Sequence, residues 1–163
     1  MNKELQTLFE QDKADREGLV YLDQDQRQRM LQRDRTRRQR VEAFLASEPF
    51  LDAEDYFHVA MIFLRGETPE HSLQAHTLAY KGAKQGYPAC FCLMAAAYDR
   101  ILMSQGYAQK YGTQYIIQHG RWVLYEVDPT TTDAQRAQWN VPPLAQSLQK
   151  AEEMNQTICS ATI

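Results

Sequence analysis

Aspartate and arginine recur together in three places along this 163-residue chain. The groups are Asp12 with Arg16, Asp34 with Arg37 or Arg38, and Asp99 with Arg100. A carboxylate can take or give a proton. A guanidinium can hold a carboxylate, a phosphate or a developing oxyanion. Each group also continues an apolar stripe. Leu5, Leu8 and Phe9 lead to Asp12, Arg16 and Leu19. Met30, Leu31, Val41, Phe44 and Leu45 bracket Asp34. Leu93, Ala96 and Ala97 lead to Asp99, Arg100 and Ile101. On helices, these positions lie on the inward face or at its edge. An unpaired buried charge is costly, so each carboxylate must be paired, hydrogen-bonded or open to a cleft. Two readings stay open. In one, Asp–Arg bridges tie the helices together. In the other, a cleft of mixed charge uses Asp34 and Asp99 as acid, base or ligand-binding groups, with Asp12 and Arg16 on its wall. His58 adds a candidate proton carrier, against the alternative of a hydrogen-bonded core histidine. His71, His76 and His119 read as surface or turn residues.

The elements that must position these groups are mostly helical. Leu5, Leu8 and Phe9 predict a helix over residues 3 to about 16, with Gly18 as its interruption. A long helix follows from Asp25 to Ala46, stopped near Glu48-Pro49. Asp52 caps a third helix that ends at Gly66. Thr68-Pro69-Glu70 starts a fourth, with proline in the first turn and an acid against the helix dipole. It runs to Gly86. Pro88 opens a fifth that ends at Gly106. QYIIQ and RWVLYEV then predict a β-hairpin over about 114–127, turning at His119-Gly120. Thr132 or Asp133 caps a short helix through Trp139, and Pro142-Pro143 starts the last. Residues 157–163 read as a frayed, flexible tail. The expectation is a single mainly α domain, a helical bundle with one small β-hairpin.

The stretch QKYGTQ, residues 109–114, falls between the fifth helix and the hairpin. It is too polar for core. Gly112 can adopt a tight left-handed turn. Gln109, Tyr111, Thr113 and Gln114 offer donors and acceptors of both senses. Beside Asp99-Arg100 the loop reads as the rim of a ligand site. The alternative is that Gln109, Thr113 and Gln114 satisfy backbone groups left over at the helix end and strand start.

Other chemistries find less support. Asp12, Asp34, His58 and Asp99 are suitable metal-ligand types, but no pair has a recognised ligand spacing, so no metal is expected. There is no phosphate loop, no Gly-x-Ser-x-Gly and no cofactor motif. The three cysteines, Cys90, Cys92 and Cys159, form neither a disulfide framework nor a zinc pattern. The run RQRMLQRDRTRRQR carries seven arginines. On a helix they scatter over several faces, and net charge is −3, which argues against nucleic acid and for a salt-bridged face. No signal peptide or membrane-length apolar run is seen, which reads as a cytoplasmic protein.

Two resemblances add to this. AHTLAYKGAKQGYPACFCLMAAAYDRILMSQG is rich in small residues that let two helices approach closely. It resembles one unit of the Sel1-like and tetratricopeptide helical-hairpin repeats. YDRILMSQGYAQKYGTQY is similar to the signature of an uncharacterised bacterial family of mostly small cytoplasmic proteins. Its elements here are Asp99-Arg100, Gly106, Gln109 and Tyr111-Gly112-Thr113-Gln114. EQDKADRE and QRAQWNVPPLAQSL extend the similarity. Leu64-Arg65-Gly66 departs from it, because members often carry Gln-His-Gly there. The resemblance implies a shared site and no particular reaction.

The functional expectation is a protein that binds a polar small molecule or peptide in a cleft around Asp99, Arg100 and QKYGTQ. A small hydrolase or transferase using Asp34 or Asp99 as base, with Arg100 as oxyanion or phosphate partner, is the first alternative. A helical-repeat interaction scaffold is the second. Oligomeric state is left open.

Overall fold

In the computed structural model the described residues are 1–17, 23–47 and 50–160, the last four by backbone alone. The expected break at Gly18, the inward position of Leu19 and the stop at Glu48-Pro49 lie outside them. The described chain forms helices α1 (Lys3–Arg16), α2 (Gln24–Leu45), α3 (Ala53–Leu64), α4 (Pro69–Lys84) and α5 (Ala89–Ser104). Strands β1 (Tyr115–Gln118) and β2 (Arg121–Leu124) follow, then α6 (Asp133–Gln138) and α7 (Leu144–Ser160). The fold is mainly α with one small antiparallel hairpin. No described helix is long and apolar enough to cross a membrane.

Local chemistry sets most of the boundaries. Asn2 caps α1 through its side chain. Asp23 and Gln26 form a capping box that starts α2 slightly earlier than the sequence suggested. Asp52 with Asp55, and Thr132 with Gln135, form two more. Thr68 caps α4 with Pro69 in its first turn. His119 and Gly120 both take positive φ (50° and 75°), the conformation a tight two-residue hairpin turn needs. The hairpin is shorter than expected, because residues 126–128 pair elsewhere. The Gln109 amide donates to the Glu126 carbonyl, and the Asp128 amide donates to the Gln109 carbonyl, both at 2.8 Å. The 109 loop therefore takes the backbone that would have lengthened β2. The C-terminal helix runs to Ser160, beyond the point where fraying was expected.

The main core lies among α1, α3, α4 and α5, with Leu5, Leu8, Val59, Phe63, Ala79, Leu93 and Ala97 at its centre. Small residues set the spacing of α4 and α5. A Cβ added at Gly82 would lie 2.6 Å from Cys90 Sγ, so a larger residue there would push the helices apart. A second, smaller cluster joins Ala95 of α5 to Tyr111, Val141 and Trp139. It seats the loop and α6 against α5. Cys90 and Cys92 are both free thiols.

Candidate functional site: two buried carboxylate regions and an arginine-lined cleft

The first polar region joins α1, α2 and the end of α3. Asp34 is 2% exposed. Arg16 donates to its two oxygens at 2.9 and 2.7 Å, a bidentate clamp across the helix pair. Arg37 donates to it at 2.5 Å and reaches Asp15 at 2.7 Å. Arg33 also holds Asp15. Arg38 turns away from Asp34 and donates to the Arg65 carbonyl at 3.3 Å. Asp12 accepts from Arg65 at 3.3 Å, while its other oxygen lies 3.2 Å from Arg16 without hydrogen-bond alignment. Burial alone would lower the Arg16 pKa. Asp34, Asp12 and Asp15 outweigh it and raise the pKa above the ordinary value. Of the two sequence readings, the bridge network describes Asp12, Arg16 and Asp34. Asp34 is buried and takes three guanidinium contacts, two from Arg16 and one from Arg37.

The second region joins α5 to the loop. Asp99 is fully buried and accepts four hydrogen bonds: from the amides of Lys110, Tyr111 and Thr113 at 2.8, 2.9 and 3.1 Å, and from the Thr113 hydroxyl at 2.8 Å. Burial raises its pKa above the ordinary carboxylate value, against the pull of these donors. Gly112 makes the cradle possible. Its φ of 82° turns the chain so that the amides on both sides point at one carboxylate. Gln109 is also fully buried. Its Nε2 donates to the carbonyls of Gln114 and Tyr125, and its Oε1 accepts from the Gln114 amide. Arg136, 2% exposed, closes the loop from below by donating to the carbonyls of Tyr111 and Thr131. Gln109, Tyr111, Gly112 and Thr113 thus build the loop, and none of the four lines the cleft at Arg100.

Arg100 follows Asp99 in the chain but points elsewhere, because successive helical residues are about 100° apart. Its Nη2 donates to the Gly66 carbonyl at 2.7 Å. Its Nε is buried without a partner, and among the described residues it makes no ion pair. Burial, with Arg65 nearby, lowers its pKa. A guanidinium remains charged even so. Arg100 lines a cleft of about 340 Å³ with Met103, Ser104, Gln114 and Tyr115 on one set of elements. Glu67, Thr68, Pro69 and Ser72, from the α3–α4 connection and first turn of α4, line the rest. Gln114 is the one residue of QKYGTQ in this lining, and its amide also donates to Thr113 Oγ1 at 3.0 Å.

His58 stands apart from this cleft. It is 4% exposed between α1 and α3, stacked on Phe9 with ring centroids 4.5 Å apart. Burial lowers its pKa despite several carboxylates around it, and its Nδ1 has no partner. The arginine run of α2 is largely salt-bridged. Arg33, Arg35, Arg37 and Arg40 reach Asp15, Glu67 and Glu4. Among the described residues no His, Cys, Asp or Glu cluster suits a metal. Arg136 lies in QRAQWNVPPLAQSL but nothing in its spacing marks it as a loop anchor. Glu67, Ser72 and Ser104 likewise carry no spacing signal for the cleft they line. No known protein family, curated protein or solved structure matches the chain.

Proposed function

We propose that this protein binds a polar small molecule or peptide through a carboxylate held at Arg100. One observation carries the reading. Arg100 is a partly buried cation whose hydrogen-bond partner, among the described residues, is a single backbone carbonyl, and it borders an open cleft. The guanidinium fork matches a carboxylate in two parallel hydrogen bonds. Gln114, Ser72 and Ser104 add neutral donors and acceptors around it. Asp99 then acts as a positioning residue. It fixes the loop that ends in Gln114 and does not itself touch the ligand.

Titration calorimetry with succinate and with an acidic tripeptide tests this. Wild-type protein should bind with a saturable heat. Arg100→Gln, which keeps a donor for the Gly66 carbonyl, should bind about tenfold more weakly or worse, from the loss of one charged hydrogen bond. Equal binding by folded Arg100→Gln would remove the reading.

A further inference from the structure

We infer that the ligand of the Arg100 cleft is a zwitterion of the α-amino-acid type, which rests on the reading above. The lining includes residues of both charges. Arg100 lines it from α5, and Glu67 from the α3–α4 connection, at the border with a second hollow that holds Arg35. Glu67 is ionised at neutral pH. The hydrogen bond from Arg35 is the main reason its pKa lies below the ordinary value. Arg35 donates one hydrogen bond to each Glu67 oxygen, at 2.9 and 3.2 Å. A carboxylate has about four acceptor sites, so capacity for an ammonium remains. The Arg35–Glu67 pair is also exposed, and such pairs hold their partners weakly.

A ligand with only a carboxylate would meet Arg100 favourably and Glu67 unfavourably. A ligand with only an ammonium would meet the reverse. A molecule with both charges satisfies the two walls together, and a mixed-sign lining disfavours the single-sign analogues, which bind more weakly. Met103, Pro69 and Tyr115 give the same cleft apolar surface, which suits an apolar side chain. A volume of about 340 Å³ suits one free amino acid or a dipeptide rather than a folded partner.

The test is calorimetry with three probes: L-methionine, N-acetyl-L-methionine and L-methioninamide. The expected result is that L-methionine binds at least about tenfold more tightly than either analogue, because each analogue lacks one charged contact. Glu67→Gln, an exposed substitution, should abolish the preference over N-acetyl-L-methionine and keep the preference over the amide. If N-acetyl-L-methionine binds wild type as tightly as L-methionine, ammonium recognition is wrong while carboxylate capture at Arg100 stands. The same holds if succinate binds through Arg100 and L-methionine does not. If none of these carboxylates binds, both ideas fall.

Discussion

Asp34 and Asp99 are equally hidden, at 2% and 0% exposure, but their charges are balanced by different means. Asp34 sits between guanidinium groups supplied by α1 and α2. Asp99 pairs with no guanidinium among the described residues and is held by three backbone amides and a hydroxyl of one loop. In the first region side chains meet side chains, so the network joins helices that are already formed. In the second a side chain meets backbone, so the carboxylate dictates the conformation of the loop. Arg100 differs from both carboxylates: among the described residues its hydrogen-bond partner is the Gly66 carbonyl, and it lines the cleft.

The largest effect should come from Asp34→Leu. It removes the carboxylate that Arg16 and Arg37 share, leaving them Asp12 and Asp15 alone, and should cost about 3–5 kcal/mol in denaturant unfolding. A variant as stable as wild type would mean that the network is not holding the helices. Asp99→Ala should cost about 3 kcal/mol, from several buried donors left unsatisfied. Its distinctive signature is local. Hydrogen exchange at the Lys110, Tyr111 and Thr113 amides should accelerate while α1 and α3 amides, measured against global stability, do not. Uniform acceleration would mean that the loop has no separate anchor. Gly112→Ala forces a Cβ into a positive-φ position and should cost about 1 kcal/mol. Contacts do not forbid it, since the added Cβ comes no closer than 3.5 Å to Leu144. Arg35→Gln removes an exposed ion pair and should change stability by less than about 1 kcal/mol.

Acid titration should give the two regions opposite signs. Burial by itself would raise the Asp15 pKa. Hydrogen bonds from Arg33 and Arg37 outweigh burial and depress it. Its contribution to stability is complete above the unfolded carboxylate value and is lost as pH falls through the lower folded value. Asp99 is raised by burial. The folded state therefore holds that proton more tightly than the unfolded state does, and stability falls as pH rises from the ordinary value through the raised one. Carbon-detected NMR of the side-chain carboxyls should place the Asp15 midpoint below the ordinary aspartate value and the Asp99 midpoint above it. Midpoints in the reverse order would mean that the two regions are not balanced in these different ways.

Much of the inward polarity was readable in the sequence. Asp12, Asp34, Arg37, Arg38 and Asp99 lie on apolar stripes of period 3.6, and the fold buries all five. Caps and turn residues marked most helix starts and the hairpin turn. Partners were not readable, because they depend on how helices pack across tens of residues. Asp99 and Arg100 illustrate this. They look like a pair in sequence, yet one reaches residues 110–113 and the other reaches Gly66. The split of QKYGTQ was hidden for the same reason. Gln109 resembles a ligand-binding amide until residues 125–128 fold over it and take up its hydrogen bonds. Arg136 offered no signal, since a single arginine on a six-residue helix has no period to read.

The proposed function turns on Arg100 as the cation that holds the ligand carboxylate. Its Nε–H can be followed directly by nitrogen–proton NMR while acetate and then L-methionine are titrated in. The expected outcome is a saturable downfield shift of the Arg100 Nε–H, accompanied by the Gln114 side-chain amide, with the Arg16 and Arg136 signals unmoved. A shift that is absent, that never saturates, or that appears equally at Arg16 and Arg136 would overturn carboxylate capture at Arg100.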